Sequence, residues 1–429
     1  MDIIVYPGTL NGTVKAPPSK SLAHRALICA ALSDGLSRID GISESEDMRA
    51  TIRCIEALGA SVKQEGSMAE VTGIYAQGAQ TGRENAEFDC GESGSTFRFM
   101  LPVAAAAGVS GEFTGRGKLP QRPVTPLADA MKANGAIFLP NGRDQMPFEI
   151  NGRLLPGDYR IPGNISSQYI SGLLFALPLL DGDSRIIIEG GLQSAGYVDL
   201  TVDMLEKFGI EVEKTDFGYA VKGGQGYKAV DIEVEGDYSN AAFWLVAGAM
   251  GSNIKVTGLN PESRQGDRAI VDILGQMDAA IMSTDEGIQA RGYCLSPVLI
   301  DCGDIPDLVP VLTIAASTAE EEEAQCRFVN AGRLRLKESD RLNSTAAMLS
   351  KLGVGVEICG DEMDVFGGSP LDGGVDIDSY NDHRIVMSAA VAALRCYEPV
   401  MIRGAEAVSK SYPDFFDVFK SLGGRIHVI

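Results

Sequence analysis

Two landmarks recur six times each along this 429-residue chain, and both keep a spacing of roughly 72 residues. The first is a polar turn followed by a helix-length run of small and apolar residues: SKSLAHRALICAAL, SGSTFRFMLPVAAAA, SSQYISGLLFALPLL, DYSNAAFWLVAGAM, DLVPVLTIAAS and DHRIVMSAAVAAL. These runs begin at Ser19, Ser93, Ser166, Asp237, Asp307 and Asp382. The second is an amphipathic run closed by a turn and a short β-like segment, with Gly59, Gly135, Gly209, Asp278, Gly353 and Gly423 at the turn. A helix commonly ends through a left-handed residue, which costs glycine nothing sterically and which Asp tolerates. Two landmarks that are out of phase yet share one period mark an internal repeat, and a repeat determines the architecture.

Between the helical runs lie strand-like segments such as SRIIIEGG, FEINGR, NIKVTGL and VMIRGA, so each unit reads as strands plus two helices in an α/β fold. The first helix of each unit is apolar nearly all round, the pattern of a helix buried at a domain centre. The second is amphipathic and belongs on the outside. A single core stops growing near ~250–300 residues, so six units divide into two domains of three. That places the boundary near Val234. The polar turns before the buried helices then converge at one end of each domain, where helix N-termini offer free N–H groups and a positive dipole end to anions.

The charge balance limits what such a site can serve. With 58 acidic against 37 basic side chains the net charge is -21, which excludes a general basic surface for nucleic acid. An anionic ligand must be captured locally. The longest nearly uncharged stretch, Phe99 to Val109, falls short of the ~20 apolar residues of a membrane helix, and the start MDIIVYPG lacks the basic n-region of a signal peptide. A soluble, unexported, cytoplasmic chain is expected. The 8 cysteines are scattered without a C-x-x-C pair, which suggests neither a zinc site nor a disulfide framework, and they read as cytosolic thiols, mostly buried.

The polar turns carry Lys20, Ser21 and Arg25; Gly94, Ser95 and Arg98; Ser166, Ser167 and Gln168; Asp307; and Asp382, His383 and Arg384. Other loops add Arg122, Ser194, Tyr197, Lys337, Glu338, Asp340, Arg341 and Lys410. Ser and Asp before a helix serve as N-caps. Lys and Arg in a first turn oppose the helix dipole by a few tenths of a kcal/mol, so Lys20, Arg25, Arg98 and Arg384 need a compensating partner, of which a bound anion is the simplest.

The strings PPSKSLAHR, GRGKLPQRP, SSQ, IPD, LKESDR, YNDHR and VSKSYPDFF, in this order, resemble the 5-enolpyruvylshikimate-3-phosphate synthases along essentially the whole chain. The resemblance implies two domains, each of three β-α-β-α-β-β units with buried helices and outer sheets, an inverse α/β barrel type. It implies residues 19–234 as one domain, residues 1–18 together with 235–429 as the other, and an active site in the cleft between them.

Carried over by motif, Lys20, Ser21 and Arg25 look like the shikimate-carboxylate end, with Lys20 also reaching phosphoenolpyruvate. Ser166, Ser167 and Ser194 resemble the 3-phosphate cradle, with Gln168 between the two ligands. Gly94, Arg122, Arg341, Arg384 and Lys410 resemble the phosphoenolpyruvate clamp, and Asp307 and Lys337 look like the residues that hold the shikimate hydroxyls. Glu92 stands where many relatives carry Asn, and Arg333 where some do, so both stay outside the expected site. Gly94 is expected to leave room beside the phosphoenolpyruvate position, so that Gly94→Ala weakens the inhibitor glyphosate more than the substrate.

The implied reaction joins phosphoenolpyruvate to shikimate 3-phosphate and needs no metal or organic cofactor. Protonation of the phosphoenolpyruvate methylene makes C2 electrophilic, and the 5-hydroxyl attacks to give a tetrahedral intermediate. Loss of phosphate and of a methyl proton yields the enol ether. Glu338 is assigned to the methylene and Asp307 to the hydroxyl, with Lys20 a rival for the second role. The related UDP-N-acetylglucosamine enolpyruvyl transferases typically place a Cys before their R-P-V triplet, whereas the loop here reads GRGKLPQRPV. A non-catalytic binder is the alternative of another class, but capture of anions gains nothing from carboxylates among the cations. A monomer acting on two small molecules, without nucleic acid or membrane, is the expectation.

Overall fold

The computed structural model describes residues 1–76, 84–139, 145–292, 294–319, 325–368 and 370–429. The chain divides into two compact units, one of Pro18–Val234 and one of Met1–Pro17 with Glu235–Ile429.

Within Pro18–Val234 the helices are α1 (Lys20–Ala31), α2 (Glu46–Leu58), α3 (Gly94–Ala106), α4 (Thr125–Ala133), α5 (Ser167–Ala176) and α6 (Ala195–Lys207). The other unit holds α7 (Tyr238–Ala249), α8 (Ala269–Gln276), α9 (Val309–Ser317), α10 (Arg341–Lys351), α11 (His383–Ala393) and α12 (Phe415–Ser421). The odd-numbered helices are the apolar series: every residue of α7, α9 and α11 is buried, and each unit has one hydrophobic core packed around its three. The even-numbered helices are the amphipathic series, α2 burying only Met48, Ala50, Thr51, Cys54, Ile55 and Leu58.

The turn that ends each amphipathic helix is left-handed in all six units. Gly59, Gly135, Gly209, Gly353 and Gly423 have φ of 123°, 96°, 78°, 84° and 93°, and the exceptional Asp278 has 64°. Five of the six apolar helices start at the expected cap: Ser19, Ser93, Ser166, Asp237 and Asp382. The sixth differs. Leu308 is the cap residue of α9, with Pro310 in the first turn, and Asp307 is thereby left to use its carboxylate elsewhere.

Among the described residues each unit contains three four-stranded sheets. In one, Asp158–Pro162 pairs parallel with Ser184–Glu189, which pairs antiparallel with Gly218–Val221 and, beyond it, Val212–Thr215. With α5 and α6 interposed this is a β-α-β-α-β-β unit. The first sheet of Pro18–Val234 takes its leading strand from the far end of that segment: Ile232–Glu233 lies parallel to Leu36–Asp40. Correspondingly, Asn11–Lys15 leads the sheet of Asn253–Thr257. Ile3–Val5 fills a place between Val400–Arg403 and Ile426–Val428, completing the last sheet. Each set of three units is thus closed by a strand from the opposite end of its sequence.

One close approach positions the candidate site. A Cβ on Gly172 in α5 would lie 2.3 Å from the carbonyl oxygen of Arg98 in α3, so glycine lets the two buried helices touch backbone to backbone. Gly172→Ala forces them apart. Overpacking of this kind costs about 1–3 kcal/mol. Urea unfolding of Pro18–Val234 should show that loss, and an unchanged midpoint would contradict the contact.

Cys294 and Cys359 are exposed and the other six cysteines are buried. Among the described residues no helix is long and apolar enough to cross a membrane.

Candidate active-site residues

In Pro18–Val234 the starts of the helices are knitted together by side chains. Arg25, buried on α1, donates through Nε to the Thr201 hydroxyl at 2.9 Å, and through its Nη atoms to the carbonyl oxygens of Ser21 at 2.6 Å and Tyr197 at 2.7 Å. Its guanidinium carbon stands 5.2 Å from the Phe99 ring centroid, and burial lowers its pKa to about 10. These bonds hold the first turn of α1 against that of α6, which opens at Ser194. Ser194 is buried in a left-handed conformation, φ 57°. The Gln193 amide donates to the Gly163 carbonyl at 3.1 Å, bringing the Ser194 loop beside the Ser166 and Ser167 turn.

The start of α3 joins the same end. Arg98 donates to Gln168 Oε1 at 2.7 Å and to the Pro123 carbonyl at 2.9 Å, while Gln168 Nε2 donates to the Ser95 hydroxyl at 2.9 Å. The Arg122 guanidinium lies directly over Gly94, where a Cβ would meet Nη1 at 2.7 Å and Cζ at 2.8 Å. On the other side, His24 Nδ1, Thr51, Thr96 and Ser93 form a run of hydrogen bonds, each 2.7 Å, from α1 through α2 to the cap of α3. Lys20, the first residue of α1, pairs with Asp47 of α2 at 2.7 Å.

The other unit gathers a denser charge cluster around one guanidinium. Arg341 opens α10 and is fully buried. It donates to Asp307 Oδ1 at 2.7 Å, Glu338 Oε2 at 2.6 Å, and Asp382 Oδ2 and Oδ1 at 2.9 and 3.2 Å. Asp307 also receives Lys337 Nζ at 3.3 Å and Arg384 Nη2 at 3.2 Å; Arg384 Nη1 reaches the Asp307 carbonyl at 3.1 Å. Lys410, also buried, donates to the Asn381 carbonyl at 2.8 Å, beside the cap of α11. The left-handed pair Tyr380 and Asn381, φ 51° and 56°, turns that carbonyl toward it.

Such a cluster shifts every group in it. Burial pushes the Asp307 carboxyl up, but Arg384, Lys337 and Arg341 outweigh burial and hold it well below the usual carboxylate range. Asp382 is likewise pushed up by burial and brought below its ordinary value chiefly by Arg341. Burial lowers Lys337, with Asp307 opposing. Arg341 is raised despite its burial because Asp382, Glu338 and Asp307 surround it. Both carboxylates and guanidinium are therefore charged at neutral pH.

The structure brings Lys20, Ser21, Arg25, Gly94, Arg122, Ser166, Ser167, Gln168 and Ser194 to one end of their unit, and Asp307, Lys337, Glu338, Arg341, Arg384 and Lys410 to one cluster in theirs. The compensating partners of the first-turn cations are groups of the protein itself: Asp47 for Lys20, carbonyls for Arg25, Gln168 for Arg98 and Asp307 for Arg384. An anion is not needed to balance them in the free chain. Sequence reasoning missed Asp47, Thr201 and Asp267, and named Asp382 at its polar turn without giving it a role in the site. Asp382 does cap α11, accepting from the Arg384 amide at 2.9 Å, but its two oxygens also take Arg341. Among the described residues no three His, Cys, Asp or Glu side chains gather where a metal could be held.

The chain resembles known proteins over its full length. A family model described as EPSP synthase (3-phosphoshikimate 1-carboxyvinyltransferase) matches residues 5–419. The 3-phosphoshikimate 1-carboxyvinyltransferase of Clostridium novyi (strain NT) is 42% identical over 437 residues, covering 99% of this chain and 98% of that protein. Its counterpart from Clostridium acetobutylicum is 44% identical over 425 residues, covering 99% and 97%. Among solved structures, EPSP synthase from Acinetobacter baumannii matches with a TM-score of 0.81 at 26% identity, over 100% of both chains. The enolpyruvyl transferase NikO from Streptomyces tendae, 17% identical over 99% of this chain and 98% of that one, matches with a TM-score of 0.78 and shares the fold.

Six β-α-β-α-β-β units with cations, hydroxyls and carboxylates at their helix starts thus place the chain in the enolpyruvyl transferase fold class. The chain belongs to the EPSP synthase (3-phosphoshikimate 1-carboxyvinyltransferase) family.

Proposed function

We infer that the chain transfers the enolpyruvyl group of phosphoenolpyruvate to the 5-hydroxyl of shikimate 3-phosphate, releasing phosphate, in aromatic amino acid (chorismate) biosynthesis. One observation carries the catalytic reading: Asp307 and Glu338 sit in direct contact with Arg341, with Arg384 and Lys337 closing around Asp307. A binder of anions would be weakened by carboxylates at that position. An enzyme that must move two protons beside anionic substrates needs them.

Arg122, Arg341, Arg384 and Lys410, with the Gly94 backbone, form the phosphoenolpyruvate clamp in this reading. Ser166, Ser167 and Ser194 cradle the 3-phosphate, Gln168 lies between the ligands, Lys20, Ser21 and Arg25 serve the shikimate carboxylate end, and Lys337 and Asp307 serve its hydroxyls. Glu338 donates a proton to the phosphoenolpyruvate methylene. Asp307 accepts the proton of the 5-hydroxyl as C2 becomes cationic. Its low pKa makes it a weak base in the free chain, but substrate anions that draw Arg341 and Arg384 toward themselves remove part of the field depressing it. Lys20 is the weaker candidate, since an ammonium held by Asp47 offers donors and no acceptor. Fixed charges and positioning of the two reactants supply much of the rate.

Gly94→Ala now carries a different expectation from an open space beside the ligand. The added methyl displaces the Arg122 guanidinium, the movable end of a flexible side chain, so phosphoenolpyruvate loses affinity along with glyphosate. The KM for phosphoenolpyruvate should rise by about 3–10-fold with kcat little changed, as for loss of uniform binding. An unchanged KM would place Arg122 outside the clamp.

The reading also makes the protein a cytoplasmic monomer, and the net charge of -21 supports the absence of a nucleic-acid partner. The direct test is phosphate release from phosphoenolpyruvate with and without shikimate 3-phosphate. Release that requires both compounds supports the transferase; release that ignores shikimate 3-phosphate, or none at all, refutes it.

A further inference from the structure

Close to the Arg384–Asp307 pair lies a further carboxylate that the reaction does not use. Asp267 sits in the short turn Gly266–Arg268 and is buried, 2% exposed. The turn is held in place by Gln265, whose Nε2 donates to Glu235 Oε1 and the Gly236 carbonyl, both at 2.8 Å, and whose Oε1 receives the Tyr238 amide at 3.1 Å. Asp267 Oδ2 accepts a hydrogen bond from the Ser239 hydroxyl on α7. The carbonyl oxygen of the same Ser239 receives Arg384 Nη1 at 3.4 Å. A rigid turn, one serine and the guanidinium are thereby connected in series.

We propose that Asp267 is a positioning residue for the phosphoenolpyruvate clamp: acting through Ser239, it sets the orientation of the Arg384 guanidinium and the charge that surrounds it. The inference rests on the enolpyruvyl-transfer reading of this cluster.

The charged groups that face Asp267 come from three directions. Asp237 precedes α7, Asp307 precedes α9 and Arg384 lies on α11. On its own turn, Arg268 is directed away, donating to the Pro261 carbonyl at 3.0 Å. Burial and the Asp307 carboxylate raise the Asp267 carboxyl, with Arg384 opposing, to about 7. Below that pH the group is neutral and the ionised Asp307 carboxylate is the one that faces Arg384. Above it the Asp267 charge joins that of Asp307, and a bound anion at Arg384 is opposed by it.

The sign for stability follows from the same shift. The folded value lies above the ordinary Asp value of about 3.9, so the folded protein holds this proton more tightly than the unfolded chain. The stabilisation is present at low pH and is lost as pH rises through about 7.

The test compares the wild-type protein with Asp267→Asn, which keeps an acceptor for Ser239 and removes the titration. The ratio of wild-type to variant KM for phosphoenolpyruvate should climb from near unity at pH 6 to about five-fold at pH 8.5, the order expected of one added charge at a neighbouring side chain. Titration of phosphoenolpyruvate itself cancels in that ratio. The kcat ratio should stay flat. In parallel, the wild-type melting temperature should fall relative to the variant as pH rises toward about 7 and run level with it above. Ser239→Ala removes a hydrogen bond to the ionised form, so the midpoint of the KM ratio and the pH at which the melting profile levels should both move higher in that variant.

A KM ratio independent of pH, with melting curves that run parallel, overturns the proposal and leaves Asp267 a purely structural group. Should Asp267→Asn fail to fold, the midpoint shift of Ser239→Ala decides alone. The melting profiles need no substrate. A wild-type protein without enolpyruvyl transfer therefore counts against the function reading, while the thermal result still judges the charge on Asp267.

Discussion

Glu338→Gln should lower turnover by about 100-fold or more while leaving the binding of both substrates within a few-fold of wild type, as loss of a positioned acid/base does. The geometry makes this substitution informative. Glu338 Oε2 accepts from Arg341 Nη2 at 2.6 Å, and a glutamine can present its amide oxygen to the same donor. Packing and the hydrogen bond survive, while the negative charge and the ability to carry the proton are removed. Steady-state kinetics paired with calorimetric binding of shikimate 3-phosphate separates the two effects. Near-normal turnover would remove Glu338 from the chemistry, and a large loss of binding would make it a structural partner of Arg341.

The largest effect on stability should come from Arg341→Met. The guanidinium is fully buried and bonded to three carboxylates, so its removal leaves Asp382, itself completely buried, short of its main partner and takes one of three cations from Asp307. Breaking a buried ion pair by deleting one member costs about 3–5 kcal/mol. The pH dependence gives the sign of the mechanism. In the wild type Asp382 lies below its ordinary value, so its stabilisation is present above about pH 4 and is lost as pH falls through the folded value. Without Arg341, burial acts with less opposition and raises that carboxyl, so the variant gains stability as pH falls. Urea unfolding should therefore show the deficit widest above neutrality and narrowing toward about pH 5. A deficit that grows on acidification would mean the carboxylates do not govern it.

How much of this was legible in the sequence depends on the range of the interaction concerned. The helices were legible because their determinants are local. A cap and an apolar stretch sit within one turn of each other, and the left-handed stop sits at the next position after the amphipathic run. Even Asp278, the one stop that is not glycine, adopts the left-handed conformation. Asp307 was placed at a polar turn and given a site role from the sequence, but its three cations, separated from it by 30, 34 and 77 residues, were not paired with it there.

The same separation hid the partners of the first-turn cations. Arg25 meets Thr201 across 176 residues, and nothing near Thr201 in sequence announces it. Strand order was hidden for a related reason. The repeat is counted on helices, whereas Ile3–Val5 and Ile232–Glu233 are short strands that close their sheets from the opposite end of the sequence. A period says how many units there are, not where the chain enters the first of them.

The central claim is that the C–O bond of phosphoenolpyruvate breaks, not its P–O bond, because phosphate leaves from C2 of a tetrahedral intermediate formed with the 5-hydroxyl. Phosphoenolpyruvate labelled with oxygen-18 at the bridging position, turned over with shikimate 3-phosphate, tests this most directly by mass spectrometry of the products. The account predicts the label in the released phosphate and an unlabelled enol ether oxygen derived from shikimate. Label retained in pyruvate, with shikimate 3-phosphate recovered unchanged, would show a phosphatase acting at phosphorus and would contradict it.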